Sequence, residues 1–179
     1  MKIALISDTH IPASLNQLPD ELLHQIAGVD AILHAGDITS NHVLNVLAEI
    51  APVTAVAGNM DPPEVTAKLS DRELVPFEGR TIGLKHGHQP HGLQSHYIER
   101  PYDAPEMELF FQLMTAQLPT AEIIVFGHFH RPVITHWNDI LFINPGAVAP
   151  SHGKSSFAVL ELGETVGASI VLLGRQQTI

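Results

Sequence analysis

Small clusters of aspartate, histidine and asparagine recur along the chain, and each follows a run of apolar residues. Carboxylates, imidazoles and amide oxygens, without sulfur, are ligands that suit Mn²⁺, Fe, Zn²⁺, Ni²⁺ or Co²⁺. The chain has no cysteine, so thiolate ligands and disulfides are excluded. The pattern therefore indicates a metal centre built from nitrogen and oxygen ligands. The clusters are Asp8-Thr9-His10, Gly36-Asp37, Gly58-Asn59-Met60-Asp61, His86-Gly87-His88 and Gly127-His128-Phe129-His130.

Each cluster is a weak signal when taken alone, because such short motifs are more often turns than ligands. Their common position strengthens the signal, since ligands of open α/β sheets bind beyond the carboxyl ends of the strands. Alternate side chains of a strand share a face, so Asp8 and His10 are expected to reach one ion. The same holds for His128 and His130. Glycines immediately before three of the candidate ligands would let the backbone turn sharply beside a metal or substrate.

The elements that must position these clusters indicate an α/β fold. Apolar runs that could be buried on both faces alternate with helical stretches in the first two thirds of the chain, which favours a largely parallel sheet. The last third changes to two hairpins, so residues 1–179 are predicted to form one domain of two packed sheets with helices outside. Residues 87–105 are predicted to form a long loop, a common place for functional residues. The predicted strands are residues 2–6, 31–33, 53–57, 81–84 and 122–126, the helices 21–27, 42–50 and about 106–117, and the hairpins 133–143 and 155–173.

Composition limits the classes of function. With 179 residues, of which 45% are hydrophobic, the chain can bury a core and is not expected to be disordered. No apolar run approaches the roughly 18–20 residues that cross a bilayer, and the start lacks a signal-peptide pattern, so we expect a cytoplasmic protein without a membrane partner. The net charge of −10, with a Lys plus Arg total of 9, disfavours a long nucleic acid as partner. A small anionic substrate could still bind where metal cations reverse the local charge.

In this order along the chain, the clusters resemble the signature of the calcineurin-like metallophosphoesterase superfamily. The similarity is greatest to its small single-domain phosphodiesterases from bacteria and archaea, and it covers the chain from residue 1 to about residue 173. The resemblance implies a four-layer α/β/β/α sandwich, in which helices flank two mixed β-sheets and a site for two metals lies at the top of both sheets. The matching motifs are Asp8-x-His10, Gly36-Asp37, Gly58-Asn59, His86-Gly87-His88 and Gly127-His128-x-His130.

The resemblance also implies which side chains bind the metals. It implies two divalent metal ions per chain, with manganese as the expected metal and nickel, zinc, iron or cobalt as alternatives. Asp37 would bridge the two ions, and a hydroxide between them would attack the phosphorus of a small phosphate ester in line. The implied ligands are Asp8, His10, Asp37 and His130 for the first metal, and Asp37, Asn59, His86 and His128 for the second.

One position departs from the family pattern. Where the wider family has a histidine after Gly-Asn, this chain has Met60, which cannot protonate a leaving group. The resemblance therefore favours diesters, or esters with good leaving groups. His88 is the candidate for a substitute acid, although it could equally be a loop imidazole without a role. Asn59 and Arg100 are the candidate substrate-binding residues, and Arg100 could instead belong to a solvated or oligomer-contact loop.

Other interpretations stay open at the level of sequence. The same fold could serve as a non-catalytic metal-binding or protein-interaction scaffold, but a scaffold would be expected to have lost some ligand residues, and none is lost here. The hairpin 133–143 with Trp137 could be a contact surface of a homo-oligomer. We interpret His34 as a hydrogen-bonded core histidine. Asp61 is interpreted as the start of a turn, although it could instead orient a metal ligand or the substrate. The segment Asn144-Pro145-Gly146 has the composition of a turn and resembles a loop that the family places close to the metals.

Overall fold

Two mixed β-sheets with helices around them make up the fold of residues 1–151 and 153–174, the part of the chain that the computed structural model describes. In chain order the elements are β1 (Lys2–Ile6), α1 (Asp20–Gln25), β2 (Ala31–His34), α2 (Asn41–Ala48), β3 (Val53–Ala55), α3 (Pro63–Thr66), β4 (Arg72–Phe77), β5 (Arg80–Lys85), α4 (His91–Gln94), α5 (Met107–Gln117), β6 (Ile123–Val125), β7 (Val133–Trp137), β8 (Ile140–Asn144), β9 (Ser155–Leu162) and β10 (Val166–Leu173). The sheets are five-stranded, with strand orders β10-β9-β1-β2-β3 and β4-β5-β6-β8-β7. Within the described residues, none of the helices combines the length and the hydropathy that crossing a bilayer requires.

The alternation of side chains along the central strands explains why the two sheets pack face to face. In β1, Ile3 and Leu5 belong to the core between the sheets, whereas Ala4 and Ile6 belong to a core shared with α1 and α2. Because successive side chains point to opposite faces, one continuous apolar run serves both cores. A third core, rich in aromatic residues, packs α5 onto the second sheet. The predicted four-layer sandwich of two mixed sheets flanked by helices is confirmed.

Parallel pairing in each sheet determines where the candidate ligands can meet. Strands β1, β2 and β3 are parallel to one another, and so are β5, β6 and β8. The carboxyl ends of parallel strands lie at the same edge of a sheet. The loops that follow β1, β2, β3, β5 and β6 carry the candidate ligands, so the topology gathers them at these edges.

Some elements differ from the sequence prediction. Strand β4 was not predicted, because its side chains alternate between exposed and half-buried positions and it contains Pro76, which are features of an edge strand. It pairs with β5 in an antiparallel hairpin. The short helix α4 lies inside the predicted loop 87–105. The three predicted helices and both predicted hairpins are present, with ends that differ by at most two residues.

Candidate metal centre

Most of the candidate ligands converge at the edge where the carboxyl ends of the strands meet. In the described part of the chain, their metal-binding atoms form two groups, and within each group these atoms lie no more than 4.8 Å apart. One group contains Asp8, His10 and His130, and the other contains Asp8, Asp37 and His86. Since these residues follow strands of both sheets, the centre lies between the two sheets at their common end.

Both carboxylates of the centre are surrounded by imidazoles. Oδ1 of Asp8 lies 3.1 Å from Nε2 of His130 and 3.8 Å from Nε2 of His10. Oδ2 of Asp37 lies 3.3 Å from Nε2 of His86 and 3.7 Å from Nε2 of His10. Asp8 and Asp37 are buried, and the ion pairs that Lys and Arg form among the described residues involve other carboxylates. A buried carboxylate without a cation costs on the order of several kcal/mol, so this centre requires positive charge.

The pKa shifts show how strongly the centre favours positive charge. Burial by itself raises the pKa of Asp37, but His86 and the backbone N–H of Met60 outweigh burial and lower this pKa to about 2. Burial likewise raises the pKa of Asp8, yet His130 and His86 outweigh it and hold the pKa below its usual value. For His86 burial lowers the pKa, but the neighbouring carboxylates raise it above its usual value overall. The carboxylates therefore stay ionised, and either protons or a bound metal can supply the positive charge.

The ring of His86 is oriented as a metal ligand would be. Its Nδ1 lies 2.7 Å from the carbonyl oxygen of Ala35, which can only accept, so Nδ1 donates to it. In the neutral ring Nε2 then carries a free lone pair; this atom is buried and has no hydrogen-bond partner in the described structure. Histidines that bind metals commonly donate from their other nitrogen to a carbonyl in this way. The residues present therefore fit a divalent cation.

His128 lies next to this group and is positioned by the predicted loop. Its ring centroid is 5.2 Å from that of His86, and its Nε2 lies 3.1 Å from Oε1 of Gln94 in α4. The same oxygen accepts from the backbone N–H of Gln89 at 3.3 Å, so Nε2 is the donor and Nδ1 keeps the lone pair. Burial, together with the charge of His86, lowers the pKa of His128 to about 4. A metal-binding histidine must be neutral, and His128 meets this condition.

The loop that carries Asn59 also lies at the centre, although Asn59 itself is exposed. The backbone N–H of Met60 donates to Oδ1 of Asp37 at 2.8 Å. Met60 follows Asn59 directly, so this bond holds the loop of Asn59 beside a candidate ligand. The side chain of Met60 is exposed. The structure therefore brings the Asn59 loop to the centre, while the role of the Asn59 amide as a ligand stays a prediction.

His88 lies at the margin of the centre, whereas Arg100 lies outside it. The half-buried ring of His88 is 5.6 Å from that of His86 and 6.3 Å from that of His128, measured between centroids. Burial lowers the pKa of His88. Arg100 has an exposed side chain that pairs with Glu106 at 3.5 Å. No contact between Arg100 and a candidate ligand is present among the described residues, and its substrate role stays a prediction.

The backbone of the ligand loops adopts a conformation that non-glycine residues rarely take. The values of φ are positive at Asp8 (53°), His10 (46°), Asp37 (55°), His128 (68°) and His130 (53°). Each such residue costs of the order of 1 kcal/mol, and such strain is concentrated at functional sites. This finding corrects the expectation that paired ligands share a strand face. Strands β1 and β6 end before the paired ligands, so left-handed turns, and not strand alternation, position them. These turns place His10 near Asp8, whereas they direct His130 towards Asp8 and His128 towards His86.

Two glycines before candidate ligands are required by close packing. A Cβ at Gly127 would lie 2.6 Å from Oδ2 of Asp8 and would overlap with Oγ of Ser7. A Cβ at Gly58 would overlap with the carboxylate of Asp37. Both glycines therefore create the space into which the ligand carboxylates pack. The sequence had instead suggested a sharp turn beside a metal or substrate, and of the three glycines only Gly36 has a positive φ, of 94°.

Two residues that were interpreted as turns instead hold the ligand loops together. Oδ1 of Asp61 accepts from the backbone N–H of Thr39 at 2.6 Å, and Oδ2 accepts from that of Gly58 at 2.7 Å. This carboxylate joins the Asp37 loop to the Asn59 loop. Asn144 is buried and donates to the carbonyl of Gly127 at 2.9 Å. The available signal was an aspartate two residues after Asn59, but sequence does not show which backbone groups it accepts from.

His34 is a core histidine with hydrogen bonds, which confirms the sequence interpretation. The residue is fully buried, its Nδ1 accepts from the backbone N–H of Gly36 at 3.3 Å, and its Nε2 lies 3.3 Å from Oγ1 of Thr9. Burial lowers the pKa of His34 to about 3. His34 thus supports the loop of Asp37 through its hydrogen bond with Gly36, and it does not belong to either ligand group.

The fold and the site together match a known family. Residues 1–165 match the model of the calcineurin-like phosphoesterase superfamily domain, and the chain belongs to this family. A probable metallophosphoesterase of Methanothermobacter thermautotrophicus is 34% identical over 179 residues, covering 97% of this chain and 94% of that protein. A phosphodiesterase of Methanocaldococcus jannaschii is 24% identical over 163 residues, covering 82% of this chain and 83% of that protein.

Solved structures share the same architecture. The crystal structure of Vps29 from Entamoeba histolytica in complex with Zn²⁺ has a TM-score of 0.72 and 22% sequence identity, covering 96% of this chain and 99% of that chain. At this level of identity the likeness shows the fold alone. It agrees with the two mixed sheets and flanking helices described above.

Proposed function

We propose that this protein is a phosphodiesterase that depends on two divalent cations. The observation that carries the proposal is the pair of buried carboxylates, Asp8 and Asp37, which lie among His10, His86 and His130. Such a pocket attracts divalent cations, and a loaded pocket attracts a phosphate group. Membership of the phosphoesterase family and a relative named as a phosphodiesterase support the proposal.

The proposed ligands combine the two groups of side chains, which have Asp8 in common, with the ligand set that the resemblance to the family implies. When bound, the two cations would supply Lewis acidity that activates water and neutralises charge on the phosphate oxygens. Asp37 is proposed as the shared ligand, because its Oδ2 lies within 3.7 Å of both His10 and His86. Manganese is the proposed metal, and the same ligands accept nickel, zinc, iron or cobalt. The first ion would be held by Asp8, His10, Asp37 and His130, and the second by Asp37, Asn59, His86 and His128.

The residues around the ligands favour substrates that need little acid assistance. Met60 provides no proton donor. We assign the role of acid to His88, whose buried Nδ1 has no partner among the described residues. Because burial lowers the pKa of His88, its protonated form is scarce at neutral pH, and its assistance is weak. Diesters with good leaving groups are therefore the preferred substrates.

The proposed substrate is small. The net charge of −10 opposes a long polyanion, whereas a single phosphate can be bound by the cations of the centre. Asn59 is proposed to contact the phosphate as well as the second cation, because it is exposed and the next residue, Met60, donates its backbone N–H to Asp37. Arg100 is left out of this assignment, since it pairs with Glu106.

The experiment that tests the proposal compares bis-p-nitrophenyl phosphate with p-nitrophenyl phosphate. Metal-stripped protein would be assayed with and without Mn²⁺, alongside Asp37→Asn and the control Asp139→Asn, which alters an exposed carboxylate in the turn between β7 and β8. We expect Mn²⁺ to restore cleavage of the diester in the wild type and in Asp139→Asn but not in Asp37→Asn. Circular dichroism and metal content would show whether Asp37→Asn folds and how many ions it has lost.

A different result would favour the scaffold interpretation. If the wild type binds metal yet cleaves neither ester with Mn²⁺, Ni²⁺ or Zn²⁺, the proposed phosphodiesterase activity is wrong. Cleavage of the monoester alone would retain the phosphoesterase assignment and overturn the preference for diesters. Metal content measured in the same samples separates a failure of metal loading from a failure of chemistry.

A further inference from the structure

A groove leads away from the candidate metal centre along one side of the molecule. A cavity of about 230 Å³ is lined by His128, His130, Arg131 and Ser151, among others. A second cavity of about 400 Å³ is lined by His130, Arg131 and Ser151 as well, and it extends to Lys154. The two cavities adjoin the same three side chains, His130, Arg131 and Ser151, and the first is also lined by the candidate ligand His128. We refer to the two cavities together as the groove.

The walls of the groove are held in place by hydrogen bonds. The guanidinium of Arg131 donates to the carbonyl oxygens of Ile98 at 3.0 Å and Arg100 at 2.8 Å. On the opposite wall, Ser151 and Lys154 exchange backbone hydrogen bonds of 2.8 and 3.0 Å. These contacts give the groove a defined shape before a ligand enters, which reduces the entropic cost of binding.

The chemistry of the groove changes along its length. Glu99 lines the part next to the centre, so this part does not suit a second anionic group. The far part is lined by Lys154, whose side chain is exposed, and by Leu172, which is 63% exposed. The chain has a net charge of −10, so a cation beside an apolar surface is an unusual combination on it. This combination at the end of the groove favours a ligand group that is apolar and carries a negative charge.

We infer that the groove binds the second ester arm of the diester, and that this arm is an apolar or aromatic group that ends in a negative charge. The inference rests on the proposed function, because the scissile phosphate must lie at the metal centre. The apolar body of the arm packs against Leu172, and its anionic end pairs with Lys154. A cavity of about 400 Å³ suits a group of small-molecule size and does not require a macromolecular partner.

The test uses three p-nitrophenyl diesters that differ only in the second arm: methyl, phenyl and 3-carboxyphenyl. The Mn²⁺-loaded wild type would be compared with Lys154→Met, Leu172→Ser and the control Lys68→Met. The control removes an exposed cation two residues after α3, which does not line the groove. We expect the wild type to prefer the carboxyphenyl ester over the phenyl ester by about fivefold, the size of an exposed ion pair. Lys154→Met should abolish this preference through KM.

The remaining variants distinguish loss of the apolar contact from an unspecific loss of activity. Leu172→Ser should lower kcat/KM for both aryl esters by about fivefold, since it removes apolar contact area, and should leave the methyl ester unchanged. Lys68→Met should leave all three esters unchanged. If Lys154→Met changes the phenyl and carboxyphenyl esters equally, the inference is wrong. If the wild type cleaves all three esters without preference, the groove inference is wrong but the proposed function is not affected. If it cleaves none of them, both the proposed function and the groove inference are wrong.

Discussion

Replacing Asp61 by asparagine is expected to loosen two ligand loops at once. The carboxylate accepts from the backbone N–H of Thr39 at 2.6 Å and from that of Gly58 at 2.7 Å. Thr39 lies two residues after Asp37, and Gly58 immediately precedes Asn59, so one side chain fixes both loops. The asparagine amide keeps one acceptor oxygen, and its NH₂ group would face a backbone N–H, which is a repulsive contact.

The magnitude follows from the type of hydrogen bond. A hydrogen bond to a charged group contributes about 1.5–3 kcal/mol, and the half-buried position of Asp61 places each of these bonds at the lower end. Asp61→Asn, which loses one bond, should lower the free energy of unfolding by about 2 kcal/mol, and Asp61→Ala, which loses both, by about 3 kcal/mol. Because both loops carry candidate ligands, the affinity for a divalent cation should fall by about 10- to 100-fold.

Two measurements and one control decide this prediction. Urea unfolding of the metal-free protein gives the free energy of unfolding, and calorimetric titration with Mn²⁺ gives the affinity. Asp30→Asn is the matched control, since this exposed carboxylate accepts from a single backbone N–H, that of Lys2, at 2.6 Å at the start of β1. It should change the stability by about 0.5 kcal/mol or less and leave Mn²⁺ binding unaltered. If Asp61→Ala matches the control in both measurements, the positioning role is refuted and Asp61 is a turn residue.

Further predictions concern packing, the α4 contact and pH. Gly127→Ala should lower the free energy of unfolding by about 1–3 kcal/mol in urea because its Cβ has no space, whereas Gly92→Ala, whose Cβ meets nothing within 4 Å, should not destabilise the protein. Gln94→Leu removes the hydrogen bond to His128 and should weaken one of the two Mn²⁺ binding steps by about 10-fold or more in calorimetry, while a loss at both steps would contradict this assignment. The pKa of His34 falls from 6.5 to about 3 on folding. Below pH 6.5 the unfolded chain therefore takes up a proton that the folded protein excludes. The free energy of unfolding should decline as the pH falls from 6.5 towards 3. In EDTA, this residue should account for a loss of about 2 kcal/mol between pH 7 and pH 5, and His34→Gln should remove that part of the slope; an unchanged slope would show that His34 does not titrate in this way.

The positions of the ligands could be predicted because they depend on topology more than on local detail. Buried parallel strands appear in the sequence as apolar runs, and the loops after them must meet at one edge. Strand β4 could not be found in this way. It begins with Arg72 and Glu73, contains Pro76 and buries none of its side chains fully, so no apolar run marks it. An edge strand is defined by the neighbour it pairs with, and the sequence does not name that neighbour.

The hydrogen bonds that hold the site together depend on distances between loops that are far apart in the sequence. Asp61 looks like the start of a turn because two prolines follow it. The backbone N–H groups that donate to it can be identified only when the loop after β2 is placed beside the loop after β3. Arg100 shows the opposite case, since a cation near two tyrosines suggests a phosphate clamp, whereas the folded chain pairs it with Glu106. Local residue type therefore indicated which candidate ligands cluster better than it indicated the residues that support their loops.

The left-handed ligand residues explain why the centre needs this sandwich around it. Each of them costs of the order of 1 kcal/mol, and two buried carboxylates add a desolvation cost that nearby positive charge has to offset. An isolated loop would relax to an ordinary conformation. Here the strands before these loops are buried on both faces, as the fully buried β2 shows, so the loops begin from fixed positions. The carboxylate of Asp61, which accepts hydrogen bonds, and the amide of Asn144, which donates one, then hold the backbone of these loops in place. The fold thus stabilises a concentration of negative charge that a cation can neutralise, and this arrangement is what the proposed chemistry requires.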